Sequence, residues 1–405
     1  MNTISAAGGA TLSDLLEAWQ PGDFLMECGG RGLLGKGVRF SIPVAPGPDQ
    51  LLRAARLAED EVARTAWDTG TPPEACMVVG ALPFRGDVAA MLTVPARVHR
   101  SATATGPQPA MPGLSATPGL EEAASPVGDG PALHWRAEPA TAEFRAAVVE
   151  AMRRIRSGDL EKVVLSRALV AGNPGIDGRR LLAALRRRDP GCHLFAAPAG
   201  TGTFLGATPE TLVRRSGDRV VSVPHAGTAA RSGDPDEDRN AGRALLHSPK
   251  DRHEHALVVD AVAAQLSPHC SDLRVDREPH LAGTAAVWHL ATTVHGRLRQ
   301  PALSSLALAA ALHPTPAVCG TPREPAAALI AQLEPAGRGL YAGLVGWMDG
   351  RGDGEWAVSL RCALVTPEAV RLYAGVGIVA GSEPDAELAE TDAKFRTLQA
   401  AIMGS

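Results

Sequence analysis

The chain has 405 residues, 45% of them apolar and 21% charged, with a formal net charge of −4. That length allows two or three ordinary domains or one large enzyme domain with a sizeable core. The mild acidity speaks against a nucleic-acid partner, and the absence of any long apolar run speaks against a membrane span. Six scattered cysteines with no CxxC pair argue against a disulfide framework and a zinc site, and fit a reducing cytoplasm. The opening MNTISAAGGATLSDLLEAW has neither a basic region nor an apolar core, so no signal peptide is expected.

In chain order, GGRGLLGKGV (29–38) is glycine-rich, but its spacing does not match a phosphate-binding loop and no role is assigned to it. PDQLLRAARLAEDEVARTAW (48–67) carries leucine and alanine at helical spacing and predicts an amphipathic helix. MVVGALPF (77–84) and AAMLTVPARV (89–98) predict strands. Residues 101–133 are rich in Ala, Pro, Gly, Ser and Thr and read as a mobile linker or surface excursion. TAEFRAAVVEAMRRIRSGDL predicts a helix with a Thr cap, ending at Ser-Gly.

From 160 onward strands and helices mix. EKVVLSRALV, TFLGATPETLV, RVVSVPHAGT, GLYAGLVGWM, EWAVSLRCALV and AVRLYAGVGIV predict strands. Residues 234–269 predict one or two helices, and EPDAELAETDAKFRTLQAAIM predicts a last helix. No repeat at fixed period occurs. The reading is α+β, a sheet-rich core with helices outside and the chemistry in the later two-thirds.

Several residues stand out as chemistry. Lys162 is an ammonium at the mouth of the apolar run VVL. Glu387, Glu390 and Lys394 share one helical face, either a solvated face with an ion pair or part of a site. Glu254 lies just before an apolar helical face. If those helices faced each other, the carboxylates would repel unless a hard cation such as Mg²⁺ sat among them. LYAGVGIVAGSEP (372–384) is either a tight turn or a set of backbone N–H groups offered to an anion. Arg361, inside an apolar strand, needs a partner, either an internal carboxylate or a carboxylate substrate. Glu210, after Pro209, is either a turn residue or a half-buried carboxyl with a raised pKa that could serve as general acid. His225, His289 and His313 stand apart, never at metal-ligand spacing, and read as structural. No serine-hydrolase elbow, P-loop, zincin or dinucleotide fingerprint occurs.

Taken together, EKVVLSR, FLGATPETL, HAGTAAR, SPKDRHEH, WHLATTVHG, HPTPAVCG, GLVGWMDGRGDGEWAVSLRCAL and RLYAGVGIV…ELAETDAK resemble, in order, the chorismate-utilising enzymes. Within that family the chain is most similar to isochorismate synthases of the siderophore or menaquinone branch. The likeness runs from about 135 to the end, with a weaker echo at CMVVGALPF and MLTVPARV, and leaves out 101–133. It implies a single chorismate-binding domain over 1–405, with an N-terminal part at 1–100 and a catalytic portion at 134–405. The implied fold is α+β, two antiparallel sheets packed between helices around a deep cavity.

The resemblance also implies roles. Glu254, Glu387 and Glu390 match Mg²⁺-binding glutamates, the metal holding the ring carboxylate of chorismate. Arg361 and the backbone of Gly375 match residues that grip the carboxyvinyl carboxylate. Lys394 matches a substrate-binding lysine, Gly227 and Thr228 a loop near the ring, and His289 a cavity histidine. Ala317, in HPTPAVCG, and Tyr341 and Leu360 fall at substrate-pocket positions. Lys162 matches the general base of the water-using branch, since a desolvated lysine parts with its proton more readily. Water would attack C2 while Glu210 protonates the departing 4-hydroxyl. Ammonia-using anthranilate and aminodeoxychorismate synthases lack this lysine, so no glutamine amidotransferase subunit is expected, and a cytoplasmic monomer is. Salicylate synthases, which go on to eliminate pyruvate, are the alternative. HPTPAVCG looks isochorismate-type, whereas Tyr341 and Leu360 stand where some siderophore-type members carry Phe and Ile. An inactive relative is the other alternative, against which the intact residue set speaks. His225 stands where the family carries an apolar residue.

Overall fold

The computed structural model describes residues 10–101, 133–173 and 175–404. The stretch 101–133 lies, apart from its two ends, outside the described residues. The fold is α+β as expected, and its sheets are antiparallel but unequal. Seventeen strands form one continuous hydrogen-bonded system and three form a small separate sheet.

The large sheet begins with a hairpin. Gly29 and Gly30 both have positive φ (56° and 79°) and turn Phe24–Cys28 back on Arg31–Val44. Two consecutive left-handed residues suit a tight hairpin and favour glycine. This is what GGRGLLGKGV does. The hairpin belongs to the same sheet as the later strands: Phe24–Cys28 also pairs with His193–Ala199, and Met77–Leu82 pairs with Leu344–Asp349.

The predicted helix at 48–67 is Gln50–Thr69, ended by Gly70 in the left-handed conformation. Thr141–Arg156 forms as predicted, but Thr141 is its first turn rather than its cap. The backbone N–H of Ala140 donates to Glu143 instead (3.0 Å). Residues 234–269 hold two helices, Pro235–His247 and Pro249–Leu266. Ser248 divides them: its extended backbone breaks the first, and its hydroxyl accepts from Asp251 N (3.2 Å) to cap the second.

Three predicted strands are broken: RVVSVPHAGT divides into Arg219–Ser222 of the large sheet and His225–Ala230 of the small one, and two others are each interrupted in the middle at matching points. TFLGATPETLV becomes Gly202–Thr208 and Thr211–Ser216, and EWAVSLRCALV becomes Gly354–Val358 and Cys362–Val365. The halves lie side by side, 202–208 against 362–365 and 211–216 against 354–358. The breaks are tied across: Ala207 N donates to Arg361 O (3.1 Å), Val358 N to Glu210 O (3.1 Å), and Thr208 Oγ1 to Val358 O (2.6 Å). Arg361 therefore sits in a gap rather than within a strand, with φ of 47°. A left-handed non-glycine residue costs roughly 1–2 kcal/mol, which these bonds must offset.

The longest pairing of the catalytic portion joins Lys162–Gly172 to Ala369–Ile378. The last helix, Pro384–Met403, packs on the latter strand and turns Phe395, Leu398 and Ala401 into the core. The strand Lys162–Gly172 also carries an ionic network at Val164 and Ser166. Arg338 is buried and donates to both carboxylate oxygens of Glu334 (2.7 Å each) and to the carbonyls of Val164 and Val318. Glu334 in turn accepts from Ser166 N (2.7 Å) and Oγ (2.8 Å). Removing one partner of a buried pair leaves the other charge uncompensated. Glu334→Ala is therefore expected to destabilise the fold by about 3–5 kcal/mol, read as a lowered urea midpoint with an unchanged m-value.

Candidate active site

One deep cavity, about 960 Å³ including its open mouth, is lined by all fourteen of the residues to which the resemblance gives a role, whereas His313 lies outside it. Its walls come from distant parts of the chain. Lys162 opens the strand Lys162–Gly172, and Glu210 and Arg361 occupy the two strand breaks. Gly227 and Thr228 lie at a bulge in His225–Ala230, where Thr228 pairs with His289 of Val287–Ala291. Glu254 projects from the helix capped by Ser248, and Glu387, Glu390 and Lys394 from the last helix. Ala317, Tyr341, Leu360 and Gly375, the last from the strand Ala369–Ile378, supply the rest of the predicted wall.

Lys162 is 1% exposed, as a desolvated strand-mouth lysine should be. Its Nζ lies 2.7 Å from Glu254 Oε1. Burial pushes the Glu254 carboxyl up, but Lys162, with Lys394 and Lys250, together outweigh this and the group stays below its usual range. Glu210 is 2% exposed and its carboxyl oxygens find no such partner, so burial raises its pKa to about 8 against the smaller pull of Lys162 and Arg361. At neutral pH it is predominantly a neutral acid.

Arg361 donates from one terminal nitrogen to His289 Nε2 (3.0 Å), while its buried Nε–H has no partner. A guanidinium has no acceptor, so His289 carries its proton on Nδ1, which faces Gly227 O (3.1 Å) and Thr228 Oγ1 (3.2 Å). Burial and the neighbouring Arg361 hold His289 well below its ordinary pKa, hence neutral. Burial likewise depresses His225, to about 3; it lines the same cavity and meets His289 edge-on at 6.2 Å.

Lys394 donates to Gly375 O (2.8 Å) and Glu390 Oε1 (2.6 Å). Burial raises the Glu387 carboxyl, Ser382 opposes this, and the charge of Glu390 adds to it. The three glutamates share the cavity without converging. Among the described residues they do not form a group whose oxygens all lie within 4.8 Å of one another, and two are already paired with lysines.

Sequence reasoning passed over Lys250, Asp251, Arg338 and Gly377 on the same wall. For Gly377 a signal existed. LYAGVGI lies in the strand Ala369–Ile378, as AVRLYAGVGIV predicts, so its glycines do not form a turn, and alternate residues of a strand share a face. A Cβ at Gly377 would lie 2.9 Å from Lys162 Cε and 3.0 Å from Glu254 Oε1; one at Gly375 would lie 2.7 Å from the Tyr341 hydroxyl. Both glycines make room for groups that reach into the cavity.

The fold and the cavity define an α+β enzyme that holds a neutral acid, a buried lysine and an open arginine donor around one small-molecule site. Comparison with known proteins agrees. The model of the chorismate binding enzymes matches residues 116–403. The isochorismate synthase DhbC of Bacillus subtilis is 42% identical over 96% of this chain and 95% of its own. The isochorismate synthase EntC of Escherichia coli K12 is 43% identical over 65% of this chain and 68% of its own. Among solved structures, a candidate 2,3-dihydroxybenzoate-specific isochorismate synthase of Bacillus anthracis superposes with a TM-score of 0.85 at 38% identity, covering 96% and 98% of the two chains. The chain belongs to the chorismate-binding enzyme family. No helix among the described residues is long and apolar enough to cross a membrane.

The neutral state of Glu210 has a stability consequence. A carboxyl whose pKa is raised on folding adds stability below its unfolded pKa, 4.5, and loses it as pH rises through about 8. Unfolding by urea is therefore expected to show the wild type losing stability against Glu210→Gln between pH 4.5 and 8, and a constant difference would contradict the assignment.

Proposed function

We propose that the chain is an isochorismate synthase, converting chorismate to isochorismate. The observation that carries this reading is the placement of Lys162 and a protonated Glu210 on the wall of one buried cavity. General base and general acid must be of different kinds and act on different parts of the substrate, and these two meet that need. The names of the relatives reported above support the same reaction.

Chorismate is a dianion. The unpartnered Nε–H of Arg361, backed by His289, suits its carboxyvinyl carboxylate, with the Gly375 backbone beside it. Lys162 takes a proton from water as the water oxygen bonds to C2. The double bonds shift, the C4–oxygen bond breaks, and Glu210 gives its proton to the departing hydroxyl. Lysine thus ends as ammonium and glutamate as carboxylate, and a proton must return from one to the other before the next turn. Base action needs the neutral amine, so the Lys162–Glu254 pair must open first.

The donor set beside Lys162 and Lys394 fits Mg²⁺. Glu254, Glu387 and Glu390 are hard oxygen ligands, and Mg²⁺ commonly takes only one or two carboxylates with water and substrate, which suits their spread. Glu254, Glu387 and Glu390 would hold the ion between them, directly or through water, and it would supply positive charge for the ring carboxylate. Glu254 and Glu390 would exchange their lysine partners for it.

The decisive experiment is incubation of the protein with chorismate and Mg²⁺, with and without EDTA, followed by HPLC and a pyruvate assay in the same tube. Isochorismate without stoichiometric pyruvate, abolished by EDTA, is expected. Salicylate with equimolar pyruvate would move the chain to the lyase branch, and no turnover would overturn the reading. Lys162→Ala and Glu210→Gln are each expected to lower kcat by about 10²–10⁴-fold. As the acid must be protonated, the wild-type rate should fall as pH rises through about 8. Glu210→Gln should lack that fall.

A further inference from the structure

We propose that Cys28, His193 and Glu355 form a second metal site, separate from the cavity and suited to a borderline divalent cation such as Zn²⁺. The three come from different strands, Phe24–Cys28, His193–Ala199 and Gly354–Val358. Their ligand atoms all lie within 4.8 Å of one another, and they are the one such group among the described residues. A tetrahedral zinc ion, with bonds of about 2.0–2.3 Å, needs its ligands roughly 3.3–3.8 Å apart, so small side-chain movements would close the site. None of the three lines the catalytic cavity.

The unoccupied valences point the same way. His193 Nδ1 and Glu355 Oε1 are both buried without a hydrogen-bond partner and face each other at 3.8 Å. That is too long for a hydrogen bond, so an Nδ1 proton would not satisfy the pair. With the proton on Nε2 instead, a lone pair faces a carboxylate oxygen, an arrangement that a cation between them would relieve. The remaining atoms are already held. His193 Nε2 meets Thr211 Oγ1 at 2.7 Å, and Arg31 reaches Glu355 Oε2 at 3.4 Å. This is the outer support that metal-binding histidines and carboxylates commonly have. Burial keeps His193 below its ordinary pKa, hence neutral, the state that ligates. Burial and the charge of Glu355 push the Cys28 thiol up to about 12 against the smaller pull of Arg31 and Arg214, so the arriving cation itself would have to displace the thiol proton; the resulting thiolate and the Glu355 carboxylate would then balance it. Cys28 is the least buried of the three. A thiolate, an imidazole and a carboxylate select zinc or cobalt over magnesium.

Bound there, the ion would clip the N-terminal hairpin to two strands of the catalytic portion. The test is titration of the EDTA-stripped full chain with Co²⁺ in excess Mg²⁺, which occupies oxygen-only sites. One equivalent is expected, with the sulfur-to-cobalt charge-transfer band and the visible bands of tetrahedral Co²⁺. Zn²⁺ should displace it and raise the Tm. Cys28→Ser should abolish the charge-transfer band and weaken binding by at least about tenfold, whereas Glu254→Gln should keep both. No sulfur-to-cobalt band in the wild type, or a band that survives in Cys28→Ser, would overturn the proposal. Should Cys28→Ser fail to fold, X-ray absorption of the zinc-loaded wild type decides: one sulfur with nitrogen and oxygen is expected, and a shell of nitrogen and oxygen alone overturns it.

Discussion

Two neighbouring stretches of the large sheet stop pairing at the same level, and each break is hydrogen-bonded to the other. Ala207 N reaches Arg361 O, Val358 N reaches Glu210 O, and the Thr208 hydroxyl closes on Val358 O. A continuous ladder would send alternate side chains to opposite faces. The twin interruption frees Glu210 and Arg361 from that alternation and turns both toward one cavity. The unfavourable backbone of Arg361 is held by the bonds around it, so the arginine is positioned before any ligand arrives.

Around this point the protein treats buried charge in three ways. Lys162 and Lys394 are each neutralised by a glutamate, and Arg338 is held by Glu334. Glu210 has no such counter-ion in contact and stays protonated. Arg361 keeps its charge but is left with an unused donor. Paired charges can be exchanged for substrate or metal, a neutral acid can give a proton, and an unused donor can receive an anion. The distribution of partners therefore sorts the same residue types into different kinds of work.

Much of this was legible in the sequence, unevenly. Lys162 announced itself because an ammonium beside VVL contradicts the polarity of a buried strand, and Glu387, Glu390 and Lys394 because helical spacing puts them on one face. The fold class followed from the mixture of short apolar runs and amphipathic helices. The strand breaks did not show, because TFLGATPETLV and EWAVSLRCALV keep strand composition throughout and the interruption depends on what lies alongside. The Lys162–Glu254 pair joins residues 92 positions apart in the chain, beyond the reach of any local pattern. GGRGLLGKGV shows no role in the sequence because Gly29 and Gly30 serve a turn, and turn chemistry carries no ligand signature. Cys28, His193 and Glu355 are likewise invisible to spacing rules, which detect metal sites only where ligands cluster along the chain.

The hairpin and its neighbour also bear on where the protein can be cut. The family match begins at residue 116, which invites a shorter version starting there. Yet Phe24–Cys28 covers one side of His193–Ala199, and Met77–Leu82 covers one side of Leu344–Asp349. A fragment beginning at 116 would bare two rows of unpaired N–H and C=O groups on strands that are apolar and nearly flush with the core. Open edges of that kind recruit other chains. The strands between residues 24 and 100 thus close the sheet between those two strands, and their loss would leave a template for aggregation.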